Sequence, residues 1–412
     1  MKKKAHLKNG LATFASAVVF SLSGNVYAES FAEAFSQAAA DGKAYINMRL
    51  RSESVEQNNA ALDADAITLR TKLGYKTGVF NGFSAVLEVE DSRVFAGKDD
   101  YFSKVGAANG YSVIADPEVT EVDQAFLQYS NDNATLKLGS QVIVFDGQRF
   151  VGHVGWRQDR QTFDAAKVTF KPAANIEVTA AHIYKRNRIF AEAGDQKSSD
   201  NLFNVSYKAK PLSLTAYAYL LEDEFGSQAN NDTYGVSLKG SEKLGGAKLV
   251  YAAEFASQSY ENQAGADFDA DYMAFELGLQ SIAALKGVSA KVGYEVLGSD
   301  EGSYGFSTPL ATLHKFNGWA DTFLGTPAQG LVDAYVGIGA KVGPGKLSVV
   351  YHDFSADEAS ASVDDLGSEL DIAYGMKFGK HYNAGIKYAD YQAADGGKVD
   401  TEKLWIWVGL SI

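Results

Sequence analysis

The chain has 412 residues and a formal charge of −13, with 38 Lys and Arg against 51 Asp and Glu. It has no cysteine, which excludes disulfide staples and thiolate metal sites. Its acidity argues against a nucleic-acid partner, and 40 Gly, 22 Tyr and 24 Phe beside 6 Pro suit one continuous antiparallel sheet rather than a string of soluble domains.

Residues 1–28 read as a secretory signal peptide for export through the Sec pathway. Lys2, Lys3, Lys4 and Lys8 precede an apolar stretch from Leu11 to Leu22, and Val26-Tyr27-Ala28 supplies small residues around a cut site. The apolar stretch is shorter than the about 20 residues a membrane-crossing helix needs. Cleavage after Ala28 removes four lysines and no acid, leaving 34 bases against 51 acids and a net −17. Residues 29–42 predict a short periplasmic helical segment, with Phe31 to Ala40 helical and Gly42 ending it.

From Lys43 to Ile412 the pattern is alternation with a period of two over about ten residues, then a turn, repeated to the end. Ile67–Lys76, Gly82–Glu90, Ala134–Phe145, Lys248–Ala256, Lys346–Tyr351 and Glu369–Phe378 are typical segments. Connections alternate between tight and long. Tight ones fall at 79–82, 131–133, 172–175, 211, 244–246, 283–287, 343–345 and 380–383. Long ones run over 56–65, 96–118, 146–161, 189–200, 224–231, 260–270, 299–330, 356–366 and 394–400. Eight tight and nine long connections join eighteen strands, an even count with both ends in the periplasm and the long loops outside. The fold class is therefore all-β, a transmembrane antiparallel β-barrel spanning 43–412 in the bacterial outer membrane; sixteen strands is the alternative count.

The last nine residues put Leu404, Ile406, Val408, Leu410 and Ile412 on one face and Trp405, Trp407, Gly409 and Ser411 on the other. A strand that ends the chain cannot cover its own edge, so it pairs with the first strand and closes the barrel. The same strand is the expected handle for the barrel-assembly machinery.

Charge is costly in hydrocarbon, so the charged face of each strand looks into the lumen. Arg49, Arg51 and Glu53 mark that face on the first strand, Arg70 and Lys72 on the second, and Glu88 and Glu90 on the third. Lys137, Lys167, Lys171, Glu276, Lys291, Glu369, Asp371 and Lys387 continue it. One sign predominates from Arg149 through Arg157 and Arg160 to Lys185, Arg186 and Arg188, with Asp159, Asp164 and Glu177 between. Together with Arg49, Arg51, Arg70 and Lys72, this run predicts a basic constriction for anionic solutes. The competing expectation is that Glu53, Glu88, Glu90 and Asp164 neutralise it.

Two loops are too aromatic and glycine-rich for open solvent: Gly147–Gln158 (GQRFVGHVGWRQ) and Thr308–Pro327 (TPLATLHKFNGWADTFLGTP). They are expected to fold onto the lumen wall, carrying Trp156, His314, Trp319 and Asp321 inward. With LRTKLGY (69–75), GFSAVLEVED (82–91), TFDAA (162–166), YHDF (351–354), GSELD (367–371) and DTEKLW (400–405), these stretches resemble the alginate-export family of outer-membrane porins. The resemblance covers most of the mature chain. It implies an eighteen-stranded monomeric barrel that passes solutes passively, in one branch an acidic polysaccharide through a strongly electropositive lumen. Here the lumen reads as mixed in sign, and the chain ends on Ile412 where such barrels usually end in Phe or Trp.

No nucleophile motif and no closely spaced pair of histidines occurs, so neither an enzyme nor a cofactor or metal site is expected. Asp267, Asp269 and Asp271 lack the turn Gly and the distal Glu of a calcium loop, and read as a solvated loop bridging divalent ions with lipopolysaccharide. Three functions remain in play. The first is passive diffusion of small hydrophilic solutes, anionic ones included. The second is export of an acidic polysaccharide such as alginate, and the third a structural or ligand-binding barrel plugged by its loops. The expected partners are outer-membrane lipid, lipopolysaccharide, and a small solute or anionic oligosaccharide.

Overall fold

The computed structural model describes residues 25–224 and 229–412. The expected signal peptide lies outside the described residues as far as 24; residues 25–28 begin helix α1 (Asn25–Ala40), which therefore starts ahead of the expected cut. The main sheet opens with β1 (Lys43–Gln57), β2 (Ala64–Lys76), β3 (Phe83–Asp100), β4 (Val119–Ser130), β5 (Ala134–Gln141) and β6 (Thr162–Ala173). It continues with β7 (Ile176–Asn187), β8 (Gln196–Ala209), β9 (Leu212–Glu222), β10 (Asn230–Leu244), β11 (Ala247–Glu261), β12 (Asp267–Ile282) and β13 (Val288–Leu297). A two-stranded hairpin, β14 (Ser299–Asp300) and β15 (Tyr304–Gly305), sits inside the next connection. Then come β16 (Leu331–Val342), β17 (Gly345–Ser360), β18 (Val363–Phe378), β19 (Tyr382–Gln392) and β20 (Thr401–Ser411).

Every strand of the 18-stranded sheet pairs antiparallel with its chain neighbours, and β20 pairs with β1 from Asn47↔Ser411 to Gln57↔Thr401. The sheet is a closed barrel. Among the described residues no helix is long and apolar enough to cross a membrane. Outward positions carry Leu73, Leu87, Leu127, Val236, Phe255, Phe275, Ile338 and Ile406, all exposed. A continuous apolar band of this kind has no place on a soluble monomer; lipid covers it. Tyr75, Phe83, Tyr129, Phe170, Tyr207, Phe378 and Tyr382 are exposed beside the tight turns and make an aromatic girdle there. Helix α1 lies at the same rim, where the Gly78 N–H donates to the Ala38 carbonyl at 2.8 Å.

All eight tight connections fall where alternation placed them. Three of the expected long loops are partly strand. The connections shrink to 188–195, 262–266 and 361–362 because β8, β11, β12, β17 and β18 run past the lipid. A spanning strand needs about 9–11 residues, whereas β11 has 15 and β12 has 16. Beyond the lipid the outward face meets water and carries Ser257, Ser259, Asp267, Asp269 and Asp271, so the apolar-outward code that marks a spanning strand ends there. The opposite difference occurs at β5, which stops at Gln141 rather than continuing to Phe145, because the chain turns into the lumen.

With the tight turns in the periplasm, cysteines introduced at the exposed Asn109 and Asp132 should label unequally in intact cells, position 109 alone reacting with an impermeant thiol reagent. Equal labelling would reverse the orientation. Ile406→Arg puts a charge on the lipid face of the closing strand and should cost about 2–4 kcal/mol at mid-depth. The measurement is the urea midpoint of the folded, heat-modifiable form in bilayers; an unchanged midpoint would take Ile406 off the lipid face.

Candidate functional site

Three connections between strands turn inward. Residues 142–161 and 298–330 meet inside the barrel at a bridge between Val151 and Leu310, where the Gly152 N–H donates to the Leu310 carbonyl at 2.8 Å and the Thr312 N–H to the Gln148 carbonyl at 3.1 Å. Gln161 Nε2 ties both strands of the bridge through the Gly152 (2.9 Å) and Leu310 (3.2 Å) carbonyls. Phe150 packs against Tyr217, Tyr272 and Phe306, anchoring the bridge to the wall formed by β9 and β12. The third segment, 101–118, was read from sequence as an ordinary external loop. It also dips inward, burying Ile114 and Asp116.

The first loop is held by the arginines of β1. Arg49 donates to the Trp156 carbonyl (2.6 Å), the Arg157 carbonyl (2.7 Å) and Gln158 Oε1 (3.0 Å). Arg51 donates to the Trp156 carbonyl at 2.5 Å and pairs with Asp116 and with Glu53 (3.1 Å). Arg157 bridges Glu53 (3.0 Å) and Asp321 (2.9 Å), joining the two loops to each other and to the wall. Arg160 pairs with Glu88 and with Asp123 (2.7 Å). Lys72 pairs with Glu90 (2.5 Å) and Asp123 (3.1 Å), while Arg70 donates to Asn47 at 2.7 Å. Charges taken out of water are tolerable only when paired and hydrogen-bonded, and each of these has found an opposite charge, a carbonyl or a side-chain amide.

Beside this network stands an aromatic cage. Trp156 stacks on His314 (ring centroids 5.1 Å apart, planes 5° apart) and meets Trp405 and Trp407 edge-on at 5.9 and 5.4 Å. Trp407 lies across Gly385 of β19, its partner in register, where a Cβ would fall 2.2 Å from the indole. Lys387 Nζ sits 3.8 Å from the centre of Trp319 and 2.7 Å from His314 Nε2. Burial holds the His314 pKa down to about 3. The ring is neutral, its Nδ1–H donating to Asp321 at 2.7 Å while Nε2 accepts from Lys387. Asp321 also takes Lys403 at 3.0 Å.

Two cavities lie on either side of the inward loops. The outer one, about 550 Å³, is lined by Lys104, Arg157, Arg188, Lys398 and Lys403 with the single carboxylate Asp321. The other, about 430 Å³, lies nearer the tight turns and mixes Arg149, Lys239, Lys291 and Lys315 with Asp146, Glu254, Glu276, Glu295 and Asp333. A third cavity, of about 280 Å³, shares Arg149 and Asn317 with the inner one and Arg188 and Leu313 with the outer. The stretch 313–321 narrows the lumen between the first two. Leu313, His314, Ala320 and Asp321 line the outer cavity, and Lys315, Phe316, Asn317 and Trp319 line the inner one.

The basic residues expected in one constriction are thus distributed. Arg49, Arg51, Arg70, Lys72, Arg157 and Arg160 come together with Glu53, Glu88 and Glu90. Arg149 stands apart on the inner cavity, paired with Glu295 at 2.7 Å. Lys185 and Arg186, at the outer end of β7, are held by Asp195 (2.7 Å) and Asp200 (2.6 Å). Asp164 joins Ser140 and Asn187 rather than a base. Trp156, His314, Trp319 and Asp321 all point into the lumen interior. Asp116, Asp123, Lys398 and Lys403 were not singled out from sequence. Asp123 and Lys403 had an available signal, the inward parity of β4 and β20; Asp116 and Lys398 lie in loops and had none.

Comparison with known proteins agrees with the geometry. The profile of a family described as Alginate export matches residues 44–297. A search of the curated proteins found no match. Among solved structures, Pseudomonas aeruginosa OccK9 (OpdG) is similar at a TM-score of 0.69 and 13% identity, covering 91% of this chain and 100% of that one. Acinetobacter baumannii OccAB4 is similar at 0.71 and 13% identity, covering 90% and 98%. Pseudomonas aeruginosa OpdL is similar at 0.69 and 14% identity, covering 90% and 99%. At these identities the likeness is one of fold, that of outer-membrane Occ porins. The family match extends over more than half the chain, and with the closed barrel and its lipid-facing band the chain belongs to the alginate-export family of outer-membrane β-barrels.

Proposed function

We propose that the protein is a porin that lets small anionic hydrophilic solutes diffuse passively across the outer membrane. The observation that carries this reading is the outer cavity, where five bases face one carboxylate that Arg157 and Lys403 already neutralise. Deeper in the lumen the bases stand among at least as many carboxylates, so the excess of positive charge resides at the entrance. Among the described residues, Lys104, Arg188 and Lys398 are its bases outside an ion pair. Arg188 reaches Gln196 (3.2 Å), with Asp223 the acid nearest in effect, and Lys398 reaches the Thr322 carbonyl (3.1 Å). An entrance walled by low-dielectric protein concentrates the field of such groups on an incoming anion.

Polysaccharide export is the alternative that family membership supports. The narrowing that 313–321 imposes between the cavities speaks for short solutes rather than a wide polymer path. The protein is read as a monomer that reaches the membrane through the Sec pathway and the assembly machinery, and it is not read as an enzyme.

Replacing Arg188 and Lys398 together by Ala should lower the anion-to-cation permeability ratio about 2–10-fold at low salt, with the difference shrinking at 1 M, where the Debye length is about 3 Å. Reversal potentials across a salt gradient in planar bilayers measure it, and an unchanged potential would move selectivity elsewhere. Replacing 313–321 by a short Gly-Ser linker should raise single-channel conductance; no conductance in either form would instead favour a loop-plugged structural barrel. Arg157→Ala leaves Glu53 and Asp321 short of a buried partner, and should destabilise the folded barrel by about 3–5 kcal/mol. Equal urea midpoints for the variant and the parent would take that pair of contacts out of the account.

A further inference from the structure

Glu90 of β3 and Glu121 of β4 stand directly opposite each other in register, both on the inward face. Two like charges in that position repel and weaken the pairing of their strands. The loop 142–161 brings a third carboxylate to them: one oxygen each of Glu90, Glu121 and Asp159 lie within 4.8 Å of one another. The bases nearby do not balance this group. Lys72 is shared between Glu90 and Asp123, Arg160 between Glu88 and Asp123, and Arg70 approaches Glu90 only to 3.9 Å. Three bases therefore face five carboxylates, a deficit of two positive charges. The next base, Lys185, is taken by Asp195 at 2.7 Å.

Two further observations point to a missing partner. Asp159 is fully buried; its Oδ2 accepts the Ala191 N–H at 2.9 Å, but its Oδ1 has no hydrogen-bond partner. Ser92, the next inward position on β3 after Glu90, is also fully buried with an unpartnered hydroxyl. Burial, with Glu121 alongside, pushes the Asp159 carboxyl up to about 9. A buried carboxylate oxygen without a donor is costly, and native proteins leave few such atoms unmatched.

We propose that Glu90, Glu121 and Asp159 bind a divalent cation of the calcium type, which fastens the 142–161 loop to the β3–β4 wall. The donor set is all oxygen and anionic, the chemistry of a hard cation. Calcium holds its ligands at about 2.3–2.6 Å, so oxygens on opposite sides of it stand about 4.6–5.2 Å apart. The three oxygens, all within 4.8 Å of one another, are within reach of one such ion. Two positive charges close the local deficit, and the cation offers Asp159 Oδ1 the partner that the protein does not supply. Half-exposed Glu121 gives the ion a route from the water-filled lumen.

The test uses the mature chain folded in detergent free of lipopolysaccharide, titrated with calcium chloride by equilibrium dialysis. One saturable site per chain is expected. Glu121→Gln and Asp159→Asn should each weaken it at least about tenfold. Asp269→Asn in the external hairpin should leave it unchanged. Heat-modifiable migration on gels reports that each variant is folded. Calcium removal by chelation should also lower the unfolding temperature of the parent chain, and calcium should restore it, so the parent decides the matter where a variant does not fold. No saturable binding to the parent, or undiminished binding in a folded Glu121→Gln or Asp159→Asn chain, overturns the site. Absent binding together with an unfolding temperature indifferent to chelation would mean that a proton on Asp159 relieves the cluster instead.

Discussion

Everything in this protein depends on one pairing, that of β20 with β1. In hydrocarbon no water is available to an open strand edge, and each unsatisfied backbone group costs several kcal/mol. The ladder from Asn47↔Ser411 to Gln57↔Thr401 removes both edges at once. It also fixes which face of every strand is dry. Because the side-chain period is two, closure in this register sends Leu404, Ile406 and Val408 to lipid and Trp405, Trp407 and Lys403 to the interior. The indoles that receive Trp156 and the base that holds Asp321 are thus placed by the same hydrogen bonds that close the barrel.

Closure creates a second requirement. A barrel of eighteen strands encloses more space than its own inward side chains can fill. Here the space is occupied by 142–161 and 298–330, which pair with each other at Val151 and Leu310 and present backbone carbonyls to the arginines of β1. An arginine buried in this way is satisfied by carbonyl oxygens as well as by carboxylates, and its planar fork spans both. Arg49 and Arg51 consequently act as clamps on the loop. The bases left for a solute are Lys104, Arg188 and Lys398 at the outer cavity, which stand outside the ion pairs among the described residues.

Much of the fold could be read from the chain. Strand periodicity, the eight tight turns and the closing strand are local patterns, and a lipid-facing surface enforces them by penalising every misplaced charge. The inward positions of Arg70, Lys72, Glu88 and Glu90 followed from parity alone. The misreadings were local as well. Hairpins rising out of the membrane, such as Ser257–Glu261 against Asp267–Asp271, keep Gln258 and Ala270 buried inside but carry polar residues on the outward face, so the apolar-outward code ends there and they read as loops.

The sequence by itself determined the faces of the strands and that two aromatic loops would turn inward, because hydrocarbon on one side and water on the other impose a binary code on alternate residues; between eighteen strands and sixteen, closure in the structure decided. It did not determine how the charges divide. Arg149 and Arg157 are eight positions apart, yet one meets Glu295 and the other Glu53 and Asp321. Glu90, Glu121 and Asp159 come from two strands and a loop. Such partnerships depend on interstrand register and on the path of a loop through the lumen. Both are set by contacts between residues far apart in the chain, and for these only the closed barrel supplies the distances.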